Sequence, residues 1–411
     1  MQLTYLIFAA AVSAQAAAPL PLAFEEAIEI AEQRSARLRA GYAAVAAATE
    51  QVPRASQLPD PKLRLGLDNV PVSDPDAFSV TRDFMTMRRI GYMQDMPNAD
   101  KRQARGAKAA RERDVELTLL AAQRAQVRQD IALAWLEVYY AQQTESVLAR
   151  LAESYKLEAD TAGPAVSAGR VAPSAVVAAR ASVETVRDRM LEQRRNVARA
   201  RAMLAALVGE AGERPLGAPP NIDVLAHRPD VLVDVETHPA QRVFEQREAL
   251  AESEVALAAS TRKSDWSWEV SFGHREPRYS NMVSVMVTMD LPLSKRERQD
   301  RDVTVRLKQL DQARALREDA RRMHQAEVRA LVAEWQIAGE RSRGLEQKLL
   351  PLTRERAELA LAAYRGGRGE LAAVFESRRA ETDVSISKLA AELERARAWA
   401  RLNYLLHEAH P

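Results

Sequence analysis

For about 65 residues after Asn98 the chain keeps helical spacing and meets no proline until Pro164. Val127, Ile131, Ala134 and Val138 recur on one face, as do Leu148, Leu151 and Tyr155. At ~1.5 Å per residue such a tract is a rod of about 100 Å. A second rod is expected from about Lys295 to Tyr364, with Val328, Leu331 and Trp335 on one face. Helices of this length do not pack into a small globule. Charged residues make up 28% of the chain and aromatics only 5%, which suits amphipathic helices lying side by side with wet faces.

Each rod begins behind the same phrase. Residues 94–103 read QDMPNADKRQ and residues 289–299 read MDLPLSKRERQ. Both place an Asp, one apolar residue and a Pro ahead of a polar step and Lys-Arg. Proline has no N–H to give to a strand ladder, so it closes strand pairing at that point. The residues before each phrase alternate with a period of two. Leu63, Leu65 and Leu67 oppose Lys62, Arg64 and Asp68, and a weaker strand runs from Met85 to Met96. Trp266, Trp268, Val270 and Phe272 alternate with Ser267, Glu269, Ser271 and Gly273. Val283, Val285, Val287 and Met289 alternate with Ser284, Met286, Thr288 and Asp290.

The whole order occurs twice. Helices are expected at 24–51 and again from about Ala240 to Thr261. Strands follow at about 61–70 and 85–96, then at 266–273 and 282–291. Helical hairpins close each half, at 98–208 with a break between Gly163 and Pro173, and at 295–407 with a break at Arg365–Gly369. A shift of 198 positions lays Gly169-Arg170 on Gly367-Arg368, Val176 on Val374, Arg180 on Arg378 and Leu204 on Leu402. The repeats are thus 17–208 and 240–411, joined by a Pro-rich segment at 209–239.

At the N-terminus an apolar run from Leu3 to Val12 leads to Ala14-Gln15-Ala16. This reads as a secretory signal peptide, residues 1–16, although no Lys or Arg precedes it; the other reading is a buried first helix. The chain has no Cys, which excludes disulfides, thiolate metal sites and a thiol nucleophile. A formal net charge of +2 gives no electrostatic case for nucleic acid. The six histidines, His227, His238, His274, His324, His407 and His410, show no pairing at ligand spacing. No catalytic residue, cofactor site or metal site is assigned, and no enzyme activity is expected.

In an exported chain the strand pattern admits two readings. One is a sheet packed by one face on a core. The other is a membrane wall with lipid on the face of Leu63, Leu65, Leu67, Trp266, Trp268, Val270 and Phe272. Four strands cannot close a barrel, and lipid does not tolerate open edges. A wall therefore requires several copies, two giving eight strands and three giving twelve.

The sequence resembles the TolC-type outer-membrane factors over essentially its whole length after the signal. The resemblance is carried by Ala400-Arg401-Leu402-Asn403-Tyr404-Leu405-Leu406, by Tyr364 and Gly367 at the second break, and by the doubled hairpin. Leu58-Pro59-Asp60-Pro61, Met85-Thr86-Met87, Ile90-Gly91 with Gln94 and Pro97, and His238-Pro239 look like its heavy-metal efflux branch. This implies a mainly α chain with a four-stranded β contribution. It would form a homotrimer with a twelve-stranded barrel in outer-membrane lipid and an α-barrel in the periplasm. It also implies docking to a periplasmic adaptor and, through it, to an inner-membrane RND transporter, with passive exit of heavy-metal cations. Multidrug efflux or type I secretion is the alternative cargo class, and a secreted coiled-coil scaffold is the alternative outside transport.

By the same resemblance the hairpin breaks are the adaptor-docking tip: Gly169, Arg170 and Val171, then Gly366, Gly367, Arg368 and Gly369. Tyr364 matches a residue that latches the closed tip, and Glu370 is a second gate candidate. Well-known members carry an Asp six residues after each turn Gly. Here those positions are Ala175 and Ala373, so an acidic ring built that way is absent.

Overall fold

Strand and helix separate in the computed structural model as their periods dictate; it describes residues 20–73, 75–167, 173–233 and 238–405. Residues 1–16, Gly169, Arg170, Val171, His407 and His410 lie outside the described residues. Four strands, β1 (Lys62–Asp68), β2 (Met87–Met96), β3 (Trp266–His274) and β4 (Met282–Met289), form one antiparallel sheet in that order. The central pair joins the two halves of the chain: Ile90 lies opposite Phe272 and Met96 opposite Trp266. β1 and β4 are left as the outer edges.

The helices are α1 (Phe24–Arg34), α2 (Ala36–Ala55), α3 (Ala99–Ser167), α4 (Pro173–Val208), α5 (Pro229–Val233), α6 (Pro239–Ser260), α7 (Gln299–Gly344), α8 (Leu350–Arg365) and α9 (Leu371–Asn403). α3 runs unbroken for 69 residues to Ser167 and carries Gly163 and Pro164 within it, so the helix continues through the point where a break is expected to begin. The single helix expected over 24–51 is two, because Ser35 leaves the helical region at φ −59°, ψ 111°. The second rod starts at Gln299 rather than Lys295, and one π-helical turn, Leu345–Leu349, separates α7 from α8. Among the described residues no helix is long and apolar enough to cross a membrane.

The repeated phrase folds in two ways. In the first copy Asn98 caps α3: its Oδ1 accepts from the Lys101 N–H at 2.8 Å, and its own N–H donates to Asp265 at 2.9 Å. Lys101 pairs with Asp265 and Lys263 with Asp100, locking the start of α3 to the residues just before β3. Gln94 donates to the Pro59 carbonyl at 2.7 Å. In the second copy turns fill Leu293–Arg298 before α7 begins, and Arg262 meets Asp300 at 2.8 Å. The resemblance between the two phrases is one of sequence, and the helix starts differ.

The chain compacts into two units, each drawing on both repeats. One comprises Met1–Ser35, Val127–Leu225 and Ala333–Arg401; the other comprises Ala36–Gln126, Ala226–Val332 and Leu402–Pro411. The first unit is centred on Trp135, Leu136, Ile131 and Leu204, all without solvent exposure. Phe24 meets Trp135 edge-on at 5.4 Å. Three indoles tie irregular segments to helices: Trp135 donates to Leu22 O at 3.3 Å, Trp335 to Ile222 O at 2.9 Å and Trp399 to Val224 O at 2.8 Å. A buried tryptophan N–H needs an acceptor, and the Pro-rich joining segment supplies two of these carbonyls. The second unit holds the sheet, α6 and most of α7, with Arg314 and Arg317 clamping Glu248 at 3.1 and 3.0 Å.

Candidate functional site

Strands of a water-soluble sheet place apolar residues on the covered face. Here the order is reversed. On β3, Trp266, Val270 and Phe272 are 40%, 40% and 42% exposed, whereas Ser267, Glu269 and Ser271 are buried. Leu63, Leu65 and Leu67 are exposed on β1, and every residue of β4 is exposed. Register gathers the apolar positions into rows across all four strands. Leu65, Ile90, Phe272 and Val283 form one row, and Leu63, Tyr92, Val270 and Val285 the next. Trp268 is half-buried, its ring 5.7 Å from that of Tyr92 on the same face.

The opposite face carries the charges of the sheet except Arg88, which stands exposed on the apolar face at the end of β2, opposite Leu67. Lys62 pairs with Asp95 at 2.7 Å, Arg64 with Glu269 at 2.9 Å, and Arg89 with Asp68 at 2.5 Å. Beyond the ends of β1 and β3 the two strand loops are stitched together. Arg275 donates to the Phe84 carbonyl at 2.9 Å, Phe84 and Tyr279 lie 6.3 Å apart, and Arg275 and Arg278 sit over the Tyr279 ring. Among the described residues the outer edges of β1 and β4 pair with no further strand, an arrangement that invites strand addition.

The second break has its own construction. Arg368 N–H bonds to Ala363 O at 3.0 Å and Gly367 N–H to Tyr364 O at 3.0 Å, the double bond of a Schellman stop. Gly367 takes the left-handed position this stop requires, φ +69°. Gly369 serves a different need: a Cβ there would stand 3.0 Å from both Ala363 Cβ and the Tyr364 nitrogen. Gly366 and Arg368 are exposed, and Arg368 makes no ion pair among the described residues. Glu370 is exposed just before α9, its carbonyl accepting from Ala373.

Behind this turn a core joins α3, α4 and α9, with Leu151, Tyr155, Ala162, Ala179, Val186, Leu371 and Phe375 buried together. Tyr364 is half-buried and packs against it. Burial pushes the Tyr155 hydroxyl up to about 12, so it stays a donor. Glu158 lies at the margin, accepting from Ser154 at 3.2 Å, and its Oε2 is buried with no hydrogen-bond partner among the described residues. Burial raises the Glu158 pKa; the Ser154 bond, Arg378 and Arg365 oppose this without cancelling it.

One pair escaped sequence reasoning. His238, at the N-cap of α6, and His324 on α7 share a hydrogen bond of 2.5 Å between ring nitrogens, with the rings nearly perpendicular. Burial lowers the His324 pKa, and Glu327 beside it opposes this. The two residues are 86 positions apart, and no local spacing announces the contact. Among the described residues no group of three or more His, Cys, Asp or Glu is placed to hold a metal.

A four-stranded sheet with its apolar face outward and two long helical hairpins make up a fold that is also found in solved outer-membrane channels. The outer-membrane channel OprN matches with a TM-score of 0.78 at 16% identity, over 93% of this chain and 89% of that one. The outer membrane protein VceC of Vibrio cholerae matches at 0.70 and 17% identity, over 92% and 96%. The Campylobacter jejuni CmeC outer membrane channel matches at 0.74 and 12% identity, over 94% and 87%. No protein-family profile matches the sequence, and no curated protein matches it. The fold expected from the sequence resemblance is the fold observed.

Proposed function

We propose that the chain is the outer-membrane exit duct of a tripartite efflux system, of the TolC type. The observation that carries this reading is the inverted sheet: Trp266, Val270 and Phe272 lie open while Ser267, Glu269 and Ser271 between them are covered. A face of that kind is stable against hydrocarbon and unfavourable against water. Its two open edges support closure with other copies, since an unpaired strand edge is not tolerated in lipid. Three copies give a homotrimer with twelve strands, wide enough to conduct. Movement through it is passive, and the energy comes from a proton-driven RND pump in the inner membrane.

The turn of Gly366, Gly367, Arg368 and Gly369, with Gly169, Arg170 and Val171 of the first hairpin, is the docking tip for the periplasmic adaptor. Exposure of Arg368, with no acidic partner among the described residues, supports this role. Tyr364 latches the closed tip, and Glu370 is the other gate candidate. The cargo is read as heavy-metal cations, supported by the sequence features shared with that branch; multidrug efflux or type I secretion is the alternative.

The chain's lack of cysteine allows a direct test. Single cysteines at Val283, Ser284, Val285 and Thr288 sample an exposed strand alternately. In proteoliposomes, a membrane-impermeant thiol reagent is expected to modify Ser284→Cys and Thr288→Cys but spare Val283→Cys and Val285→Cys. Uniform modification would refute the membrane wall. For cargo, loss of the gene should lower tolerance to copper, silver, zinc, cobalt or cadmium more than to dyes and detergents; the reverse assigns the duct to drug efflux.

A further inference from the structure

The polar face of the sheet carries six charged side chains, three of each sign, and all six are paired within the chain. Two of the pairs join neighbouring strands. The third does not: Arg64 is on β1 and Glu269 on β3, with β2 between them. The residue of β2 opposite Arg64 is Gly91, itself opposite Ser271. A Cβ at Gly91 would stand 2.9 Å from Glu269 Oε1 and 3.1 Å from Ser271 Cβ. The absent side chain leaves a gap over β2, and the Arg64–Glu269 bond of 2.9 Å passes through it. Glu269 is buried and Arg64 half open, so removing the arginine would leave a carboxylate in place without a counter-charge.

We infer that Arg64 and Glu269, joined across Gly91, fix the electrical neutrality of the bore, so that the barrel wall admits cations and anions alike. This deepens the duct reading and rests on it. The consequence is that the barrel wall makes no choice of cargo by charge, and selection between cations and other solutes falls to the components that load the duct. A bond that merely stapled strands would influence stability and leave the potential in the bore unaffected.

The test uses Ser284→Cys, an exposed polar-face position opposite Ser271, as a reporter. Proteoliposomes in about 0.01 M salt, where the screening length is roughly 30 Å, are treated with cationic trimethylammonium-ethyl or anionic sulfonatoethyl methanethiosulfonate. The ratio of the two rates reads the local potential whether or not the duct is open at its far end. Adding Arg64→Gln should raise the cation-to-anion ratio about fivefold, as one unpaired charge some 8 Å away in water would do. Glu269→Gln should lower it by a similar factor, and the double variant should restore it. If both reagents react but the ratio is unchanged in both single variants, the inference is overturned and the duct reading stands. If neither reagent reaches Ser284→Cys, the face is not wetted and the duct reading falls with it.

Discussion

Tyr155 and Phe375, on α3 and α9, meet twice: their rings stand edge to face at 4.7 Å, and the Tyr155 hydroxyl donates to the Phe375 carbonyl at 2.8 Å. The two contacts can be separated by mutation. Tyr155→Phe keeps the ring and removes one buried hydrogen bond, which should cost about 1 kcal/mol. Tyr155→Ala removes the ring as well and should cost about 3–5 kcal/mol. Thermal unfolding in detergent measures both, and equal losses would show that packing contributes nothing there.

Three glycines in one turn should respond differently to alanine. Gly367→Ala forces a side chain into the left-handed region and should cost about 1–2 kcal/mol. Gly369→Ala drives a Cβ against the backbone of Tyr364 and should cost about 1–3 kcal/mol. Gly366 sits at φ −78°, its nearest Cβ contact is an ordinary 3.4 Å, and its alanine variant should stay within about 0.5 kcal/mol of the parent. Denaturation midpoints of the three variants check the ranking.

Glu158 makes stability depend on pH in a defined sense. Its folded pKa is raised by burial, so the folded chain holds the proton more tightly than the unfolded chain. Its favourable contribution is complete below the ordinary carboxylate pKa and is lost as pH rises through the raised value. Glu158→Gln imitates the protonated form. Melting curves should be similar for parent and variant near pH 4, and the variant should gain progressively as pH approaches 7. A gain that shrinks with rising pH would contradict the assignment.

The two faces of β4 should differ in their tolerance of charge. Val285→Arg places a guanidinium on the proposed lipid face near the middle of the strand and should cost about 2–4 kcal/mol. Ser284→Arg, one residue earlier on the other face, should assemble almost normally. Yield of heat-resistant, membrane-inserted protein distinguishes them.

Asn98 concentrates several bonds at the start of α3, including the cap to Lys101 and the bond to Asp265. Asn98→Ala should lower stability by about 1–2 kcal/mol. Asn98→Asp keeps the capping oxygen but faces the Asp265 carboxylate, and it should recover less than the cap alone would predict. Urea titration in detergent gives both values.

Much of this was legible before any coordinates. Period-two alternation at Leu63–Leu67 and Trp266–Phe272, and helical spacing through Val127–Tyr155, reflect backbone geometry over a few residues, and local sequence suffices to show it. The glycines at 366–369 marked a turn for the same reason. Other features were not legible locally. The break at Ser35 and the delayed start of α7 depend on neighbours that the spacing does not name.

The sequence by itself determined the period of the long helical and strand segments, the division of β1, β3 and β4 into an apolar and a polar side, and the turn at residues 366–369. Only the tertiary structure decided that β2 pairs with β3, that Arg64 reaches Glu269 across 205 positions through the gap at Gly91, and that His238 meets His324. The reason is physical. Periodicity follows from dihedral angles repeated along the chain, whereas contacts between distant residues follow from how finished elements dock, and docking depends on shape and charge contributed by many segments at once.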